Sequence, residues 1–376
     1  TGSLALDGTV DGGFDLAINS TSAVTIGGNV GVGAALTSLA TDTGGSTVIG
    51  SGVVIRTSGT QVYLDAVTAP SVTLTSTGSS ITAVNAANDF GTLSLNGSNA
   101  TIRDGSGITL GTSALNVGGG SKFLDLTAGG DVTESGALTV VNDLWISASG
   151  EISLKTLNTL SGTVSLIAGA GKDVWLNASR IEVGVSRLSN ASSVLVGISG
   201  EHVTLEAPSG AAFIGNGANG LVKAMASLSS TPALTIKATG AIGSSPTDAL
   251  NVETSGLVKV EGDGVGDGTI NLKGDDKIQP KYEFSGDLLH RKVLYNGNEA
   301  TNAQLTGALD AAYLDIRNQT TEIRESGFAK ENASKVLRRG VVTSAGPGQP
   351  AVDDSTGMAG MQECEGSFSG GALSCQ

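Results

Sequence analysis

A short phrase that recurs along the chain most constrains how this sequence can fold. It consists of an apolar residue, a variable residue and a second apolar residue, followed by a small polar turn with glycine and a further apolar residue. The phrase occupies residues 124–132, 144–152 and 164–174, and these three copies begin 20 residues apart. A fixed period of this length is typical of repeat proteins, in which each repeat is one structural unit.

The alternation within the phrase has period two, which predicts short strands with one apolar face. A β-sandwich could be built from such strands, but it gives no reason for one phrase to return at a fixed interval. In a β-solenoid each coil buries its inward residues against the coils above and below, which requires such a period. We therefore predict an all-β protein with a parallel β-helix. Its predicted core contains Leu124, Leu126, Leu144, Ile146, Val164 and Leu166.

The composition agrees with short strands and tight corners. Glycine accounts for 56 of 376 residues, aromatic residues for only 3%, and small or β-branched residues supply most of the apolar content. The net charge is −14, and residues 1–275 contain no basic cluster. Nucleic acid is therefore not an expected partner, because phosphate binding requires clustered Lys and Arg. No stretch approaches the 18 apolar residues that a membrane-spanning helix needs.

Three regions are predicted along the chain. Residues 1–275 form the β-helix, and residues 276–340 form capping strands followed by two short helices. Thr301 and Gln304 have the spacing of a helix capping box. A partner-docking surface is the alternative role for these helices. Residues 341–376 form an irregular tail rich in Gly and Pro.

The tail contains the only two cysteines of the chain, Cys364 and Cys375. Two cysteines in an exported protein most simply form one disulfide, and the intervening span is flexible enough for the sulfurs to meet. The closed loop would be a bulky knob at the end of the chain. A small disulfide that only protects the terminus is the alternative interpretation.

The repeats resemble those of the large exoproteins of two-partner secretion, the filamentous-haemagglutinin-like adhesins. Residues 126–132 and 146–152 carry the resemblance, which extends over residues 1–275. It implies a right-handed β-helix and export through an outer-membrane transporter. In some of these adhesins a C-terminal cysteine pair holds the chain in that transporter, and Cys364 and Cys375 occupy the corresponding place. The family's amino-terminal secretion domain has no counterpart here, so we expect the sequence to be a piece of a longer precursor.

Motifs for catalysis, cofactors or metals were sought in the sequence. The two histidines, His202 and His290, are 88 residues apart, which makes a zinc site improbable. The acidic residues of 1–250 are scattered, whereas polysaccharide-cleaving enzymes need paired carboxylates. Residues 262–268 resemble one calcium-binding repeat, but a single copy is more typical of an acidic turn. We therefore expect no enzyme activity, no cofactor and no metal site.

These observations together predict a secreted protein of the bacterial cell surface, associated with the outer membrane. The leading hypothesis is an adhesin or biofilm matrix protein, with the β-helix as spacer and the disulfide loop as anchor. Its expected partners are the outer-membrane transporter, and an extracellular polysaccharide or the surface of a host or another cell. The alternative is a structural subunit that self-associates end to end into an extracellular filament.

Overall fold

The fold is taken from a computed structural model of the chain. It describes residues 3–118, 121–184, 197–208, 214–216, 220–227, 229–240, 242–243, 250–262, 270–273, 281–286, 293–295 and 298–299. The predicted helices after Thr301, the tail, Cys364 and Cys375 lie outside the described residues.

The strands are divided equally between two sheets of 16 strands each. Sheet 1 contains β1 (Leu4–Leu6), β3 (Ala23–Ile26), β5 (Ser46–Ile49), β6 (Val53–Thr57), β8 (Ala66–Ser76), β10 (Asp89–Gly97), β12 (Ile108–Leu110), β13 (Ser113–Leu115), β15 (Val132–Glu134), β16 (Leu138–Val140), β18 (Ile152–Leu160), β20 (Val174–Ala178), β23 (Val203–Ala207), β26 (Leu234–Ala238), β28 (Leu257–Gly262) and β30 (Lys281–Gly286). Sheet 2 contains β2 (Asp15–Ile18), β4 (Ser38–Thr41), β7 (Gln61–Tyr63), β9 (Ser80–Ala83), β11 (Asn99–Asp104), β14 (Leu124–Ala128), β17 (Leu144–Ala148), β19 (Thr163–Ile167), β21 (Ile181–Val183), β22 (Ile198–Gly200), β24 (Ile214–Asn216), β25 (Val222–Ala224), β27 (Leu250–Glu253), β29 (Ile270–Lys273), β31 (Val293–Tyr295) and β32 (Asn298–Glu299).

The chain runs from sheet 1 to sheet 2 and back, so that the strands from β1 to β29 pair in parallel with the equivalent strands of neighbouring coils. The result is a parallel β-solenoid of about 11 turns. This confirms the predicted all-β solenoid and excludes the β-sandwich. Among the described residues no helix is present, and so none is long and apolar enough to cross a membrane.

The core consists of inward side chains that stack in columns from coil to coil. Leu124 pairs in register with Leu144, and Leu144 with Val164. A second column joins Leu126, Ile146 and Leu166. These six side chains are all buried. Burying one side chain of this size stabilises the fold by about 1.5–3 kcal/mol, so each coil is held by its neighbours.

Glycine is required where the corners of successive coils stack. A Cβ atom on Gly129 would overlap the carbonyl oxygen of Gly105 in the previous coil. One on Gly169 would overlap the carbonyl oxygen of Ser149 in the same way. The glycine in the turn of the repeated phrase therefore permits close approach of the backbones.

Parallel pairing continues past residue 275, where the sequence predicts the β-helix to end. β31 pairs in parallel with β29, from Ile270 opposite Val293 to Leu272 opposite Tyr295. β32 then pairs antiparallel with β31. The antiparallel pair falls within residues 276–340, for which the sequence predicts capping strands followed by helices.

A candidate ligand site on the outer face of sheet 2

One column of outward-facing side chains in sheet 2 differs from its surroundings. Asp125 of β14 lies between the inward residues Leu124 and Leu126, so strand alternation places its side chain on the opposite face. Asp125 is in register with Thr101 of the previous coil and Trp145 of the next. Trp145 in turn is in register with Ser165. Adjacent strands are about 4.8 Å apart, so neighbouring members of this column lie within reach of one another.

This column is buried although it lies on the outer face. Asp125 and Trp145 are each 9% exposed, and Ser165 is fully buried. The next outward positions on the same strands, Thr127 and Ser147, are only half-buried. The outer face of sheet 2 therefore holds a nearly water-excluded strip along Asp125, Trp145 and Ser165, which we name the Asp125–Trp145 strip.

Hydrogen bonding in the strip is incomplete. The Ser165 hydroxyl donates to the carbonyl oxygen of Gly197 over 2.8 Å. The indole Nε1–H of Trp145 is buried and has no acceptor. Among the described residues no donor reaches the Asp125 carboxylate either. A buried polar group without a partner costs about 1–3 kcal/mol, and the Trp145 indole is such a group. The strip therefore places an unsatisfied donor beside a carboxylate to which no described residue donates.

Burial also changes the ionisation of Asp125. Desolvation of the carboxylate raises the pKa of Asp125 to about 7, because the charged form loses its hydration. Burial raises the pKa of Asp104 and Glu134 too, but both of these carboxylates accept hydrogen bonds that oppose the shift. Asp104, for example, accepts from the backbone N–H of Phe90 over 2.7 Å. The hydrogen bonds of Asp104 mark it as structural, whereas one buried oxygen of Glu134, Oε2, has no partner. No described residue donates a hydrogen bond to Asp125.

Two polar clusters are satisfied within the fold, although among the described residues Glu134 Oε2 and Asn177 Oδ1 are also buried without a partner. Inside the solenoid, Asp65 accepts hydrogen bonds of 2.6 Å from the hydroxyls of both Thr41 and Thr47. Asn88 donates to the carbonyls of Ala83 and Arg103 and accepts from the N–H of Val67. These contacts join successive coils, and they leave no group free for another partner.

Charged side chains on the outer face of sheet 1 form cross-coil pairs. Lys237 lies 3.0 Å from Glu206 and 3.7 Å from Glu261, which also contacts Lys259. Trp175 of this face donates its indole N–H to Glu206 over 3.3 Å. Exposed pairs of this kind contribute about 0–1 kcal/mol each, and they consist of groups that already have partners.

Metal-ligating residues are not grouped in the part of the chain that the structure describes, since no three His, Cys, Asp or Glu side chains share a position for an ion. Nδ1 of His202 lies 3.0 Å from a carboxylate oxygen of Asp173. His290 and most of the acidic segment 262–268 lie outside the described residues.

The repeated phrase does not single out Asp125 and Trp145 as site residues. Both occupy variable positions of the repeated phrase, which alternation assigns to a solvated face. One signal was available, because the chain has only two tryptophans. One of them follows an acidic residue by one repeat of 20 residues, and this spacing places the two side by side.

Comparison with known proteins gives one match. Residues 97–167 match a family described as repeats of unknown function (DUF5649). This segment contains β11, β14, β17 and β19, and therefore the whole Asp125–Trp145 strip. No curated protein and no solved structure matches the chain. The match and the fold together describe a repeat-rich β-helix protein.

Proposed function

We propose that the protein is a secreted bacterial adhesin or biofilm matrix protein of the filamentous-haemagglutinin-like type, and not an enzyme. The observation that carries the proposal is the continuous parallel stacking of both sheets over the described coils. Because each coil contacts only its neighbours, such a stack remains stable at many lengths. A solenoid of this kind is suited to hold a binding surface away from the cell.

The outer faces of the coils are the surfaces that a partner would meet. The chain is strongly acidic, with a net charge of −14, which disfavours nucleic acid and other polyanions. The partners of this proposal are an outer-membrane transporter, and an extracellular polysaccharide or the surface of another cell. The protein would then be located at the bacterial outer surface.

The anchor in this proposal is a loop closed by Cys364 and Cys375. A closed loop is too bulky to pass a narrow pore, whereas an open tail is thin enough to pass. Cys364→Ser should therefore move the protein from the cells to the culture medium. Immunoblots of the two fractions measure the shift, and Ser374→Ala in the same segment is the matched control. If Cys364→Ser protein stays on the cells in full, the anchor is wrong.

A second candidate function is a filament subunit that stacks end to end. The uniform stacking of the coils favours it, because a coil that pairs in parallel with its neighbours in one chain can pair in the same way with a coil of another chain.

A further inference from the structure

We propose that the Asp125–Trp145 strip binds a hydroxyl group of an uncharged saccharide. The inference rests on the proposed function, because it names the class of polysaccharide that the adhesin would contact. It starts from two residues that are nine-tenths buried and adjacent in register. The Trp145 indole N–H has no acceptor, and no described residue donates a hydrogen bond to the Asp125 carboxylate.

The two groups require a ligand that both donates and accepts a hydrogen bond. The carboxylate accepts hydrogen bonds and the indole N–H can only donate one. A single hydroxyl meets both demands, because its proton is donated to Asp125 while its oxygen accepts from Trp145. Hydrogen bonds of this kind are about 2.7–3.0 Å long. Asp125 and Trp145 come from strands about 4.8 Å apart, so one ligand oxygen could lie between the two side chains and bond to both.

The same demands reject other common ligands. A uronate or a phosphate would bring a second anion beside Asp125 in a site from which water is largely excluded, where like charges repel strongly. An ammonium group could pair with Asp125, but it has no lone pair to accept from Trp145. The site therefore selects hydroxyl-rich, uncharged ligands over acidic polysaccharides.

The surroundings of the strip are also suited to a saccharide. Thr101 of β11, Thr127 of β14 and Ser147 of β17 are half-buried outward residues, and each has a hydroxyl that can donate and accept. Because Asp125 and Trp145 are only 9% exposed, the site would admit only one slender group. The rest of the sugar chain would then lie over the neighbouring hydroxyls.

Fluorescence of the full chain tests the site directly. The chain has two tryptophans, so Trp175→Phe leaves Trp145 as the only indole that reports binding. Titration with cellohexaose and maltohexaose should change the emission of Trp145, and a galacturonic acid hexamer should not.

In the same background Asp125→Asn should weaken saccharide binding about tenfold, the effect of losing one charge-assisted hydrogen bond. Asp7→Asn removes the same charge far along the chain, and it should bind like the parent.

Calorimetry on Trp145→Phe gives a second, independent variant in case Asp125→Asn does not fold. Loss of the indole N–H should abolish measurable binding of the same oligosaccharides. The inference is overturned if neither neutral hexamer binds at millimolar concentration, which would mean a site for water alone, or if Trp145→Phe binds as well as the parent. If the saccharides do not bind but Cys364→Ser protein still moves from the cells to the culture medium, the saccharide site is wrong and the proposed function stands.

Discussion

Single residues of this protein show that strand alternation predicts direction better than it predicts exposure. Asp125, Trp145 and Ser165 point outward, as their positions between inward residues require, yet all three are buried. Their burial depends on what covers the sheet, which the sequence pattern does not reveal. The polar residues that bridge coils, such as Asn88 and Asp104, also fall outside the repeated phrase. Their buried contacts follow from the packing of corners and could not be predicted from periodicity.

The ionisation of Asp125 leads to a prediction about stability and pH. Burial raises the pKa of Asp125 from its ordinary value of 3.8 to about 7. Between these values the folded state holds a proton that the unfolded chain releases, so stability falls as the pH rises through this window. Asp125→Asn removes the cost of burying an ionised carboxylate, and this variant should be more stable than the parent at about pH 8. We expect a gain of roughly 1–3 kcal/mol, since a tenfold change in proton affinity is worth about 1.4 kcal/mol.

Urea unfolding at several pH values measures this effect. The difference between Asp125→Asn and the parent should shrink toward about pH 3, below the ordinary pKa of 3.8, where Asp125 is mostly protonated in both states. Asp7→Asn in the exposed first coil is the control, and its stability should follow that of the parent across the range. A variant that matches the parent at every pH would mean that the Asp125 carboxylate is hydrated.

At the scale of strands, the repeated phrase predicted β14, β17 and β19 well. Apolar residues two positions apart sufficed to place these strands, and the 20-residue interval sufficed for their register. The bounds and register of some strands of sheet 1 do not follow from the repeated phrase. β18 runs from Ile152 to Leu160, and its register against β20 shifts between Leu154 and Asn158. Such a bulge depends on the neighbouring coil, as Asn158 hydrogen-bonds backbone groups of Leu138 and Asn177.

The two faces of β17 allow a matched test of the core. Ile146 is fully buried between Leu126 and Leu166, whereas Ser147 on the same strand is half-buried and faces outward. Ile146→Asp buries an unpaired charge, and we expect it to lower the free energy of unfolding by roughly 3–5 kcal/mol. Ser147→Asp should cost less than about 1 kcal/mol. Thermal melting followed by circular dichroism compares the two, and equal melting temperatures would contradict the register of β17.

For the whole molecule, the fold class followed from the sequence because every coil repeats the same physical problem. Each coil must bury its inward apolar residues and place polar residues on its outer face. At its corners the backbones of successive coils approach so closely that glycine is required. Stacking satisfies all three requirements at once. The ligand of the outer face does not follow from these requirements, because they determine only which residues point outward. The Asp125–Trp145 strip became visible only when burial and hydrogen bonding were known.

The alternative function, a filament subunit, leads to a prediction about assembly of the whole molecule. In such a filament the end coils of two chains pair through their strand edges, so a filament subunit should associate as its concentration rises. Leu4→Lys in β1, combined with Phe14→Lys just before β2, should prevent this association, because charged side chains at a strand edge oppose pairing. Val117→Lys with Leu157→Lys is the matched control, since these side chains are 43% and 46% exposed on later coils. Sedimentation velocity should show a concentration-dependent increase for the parent and the control, and none for the first-coil variant. Species that keep growing would favour the filament subunit, and a limit at dimers would favour the adhesin. A parent that stays monomeric throughout would contradict association through this coil.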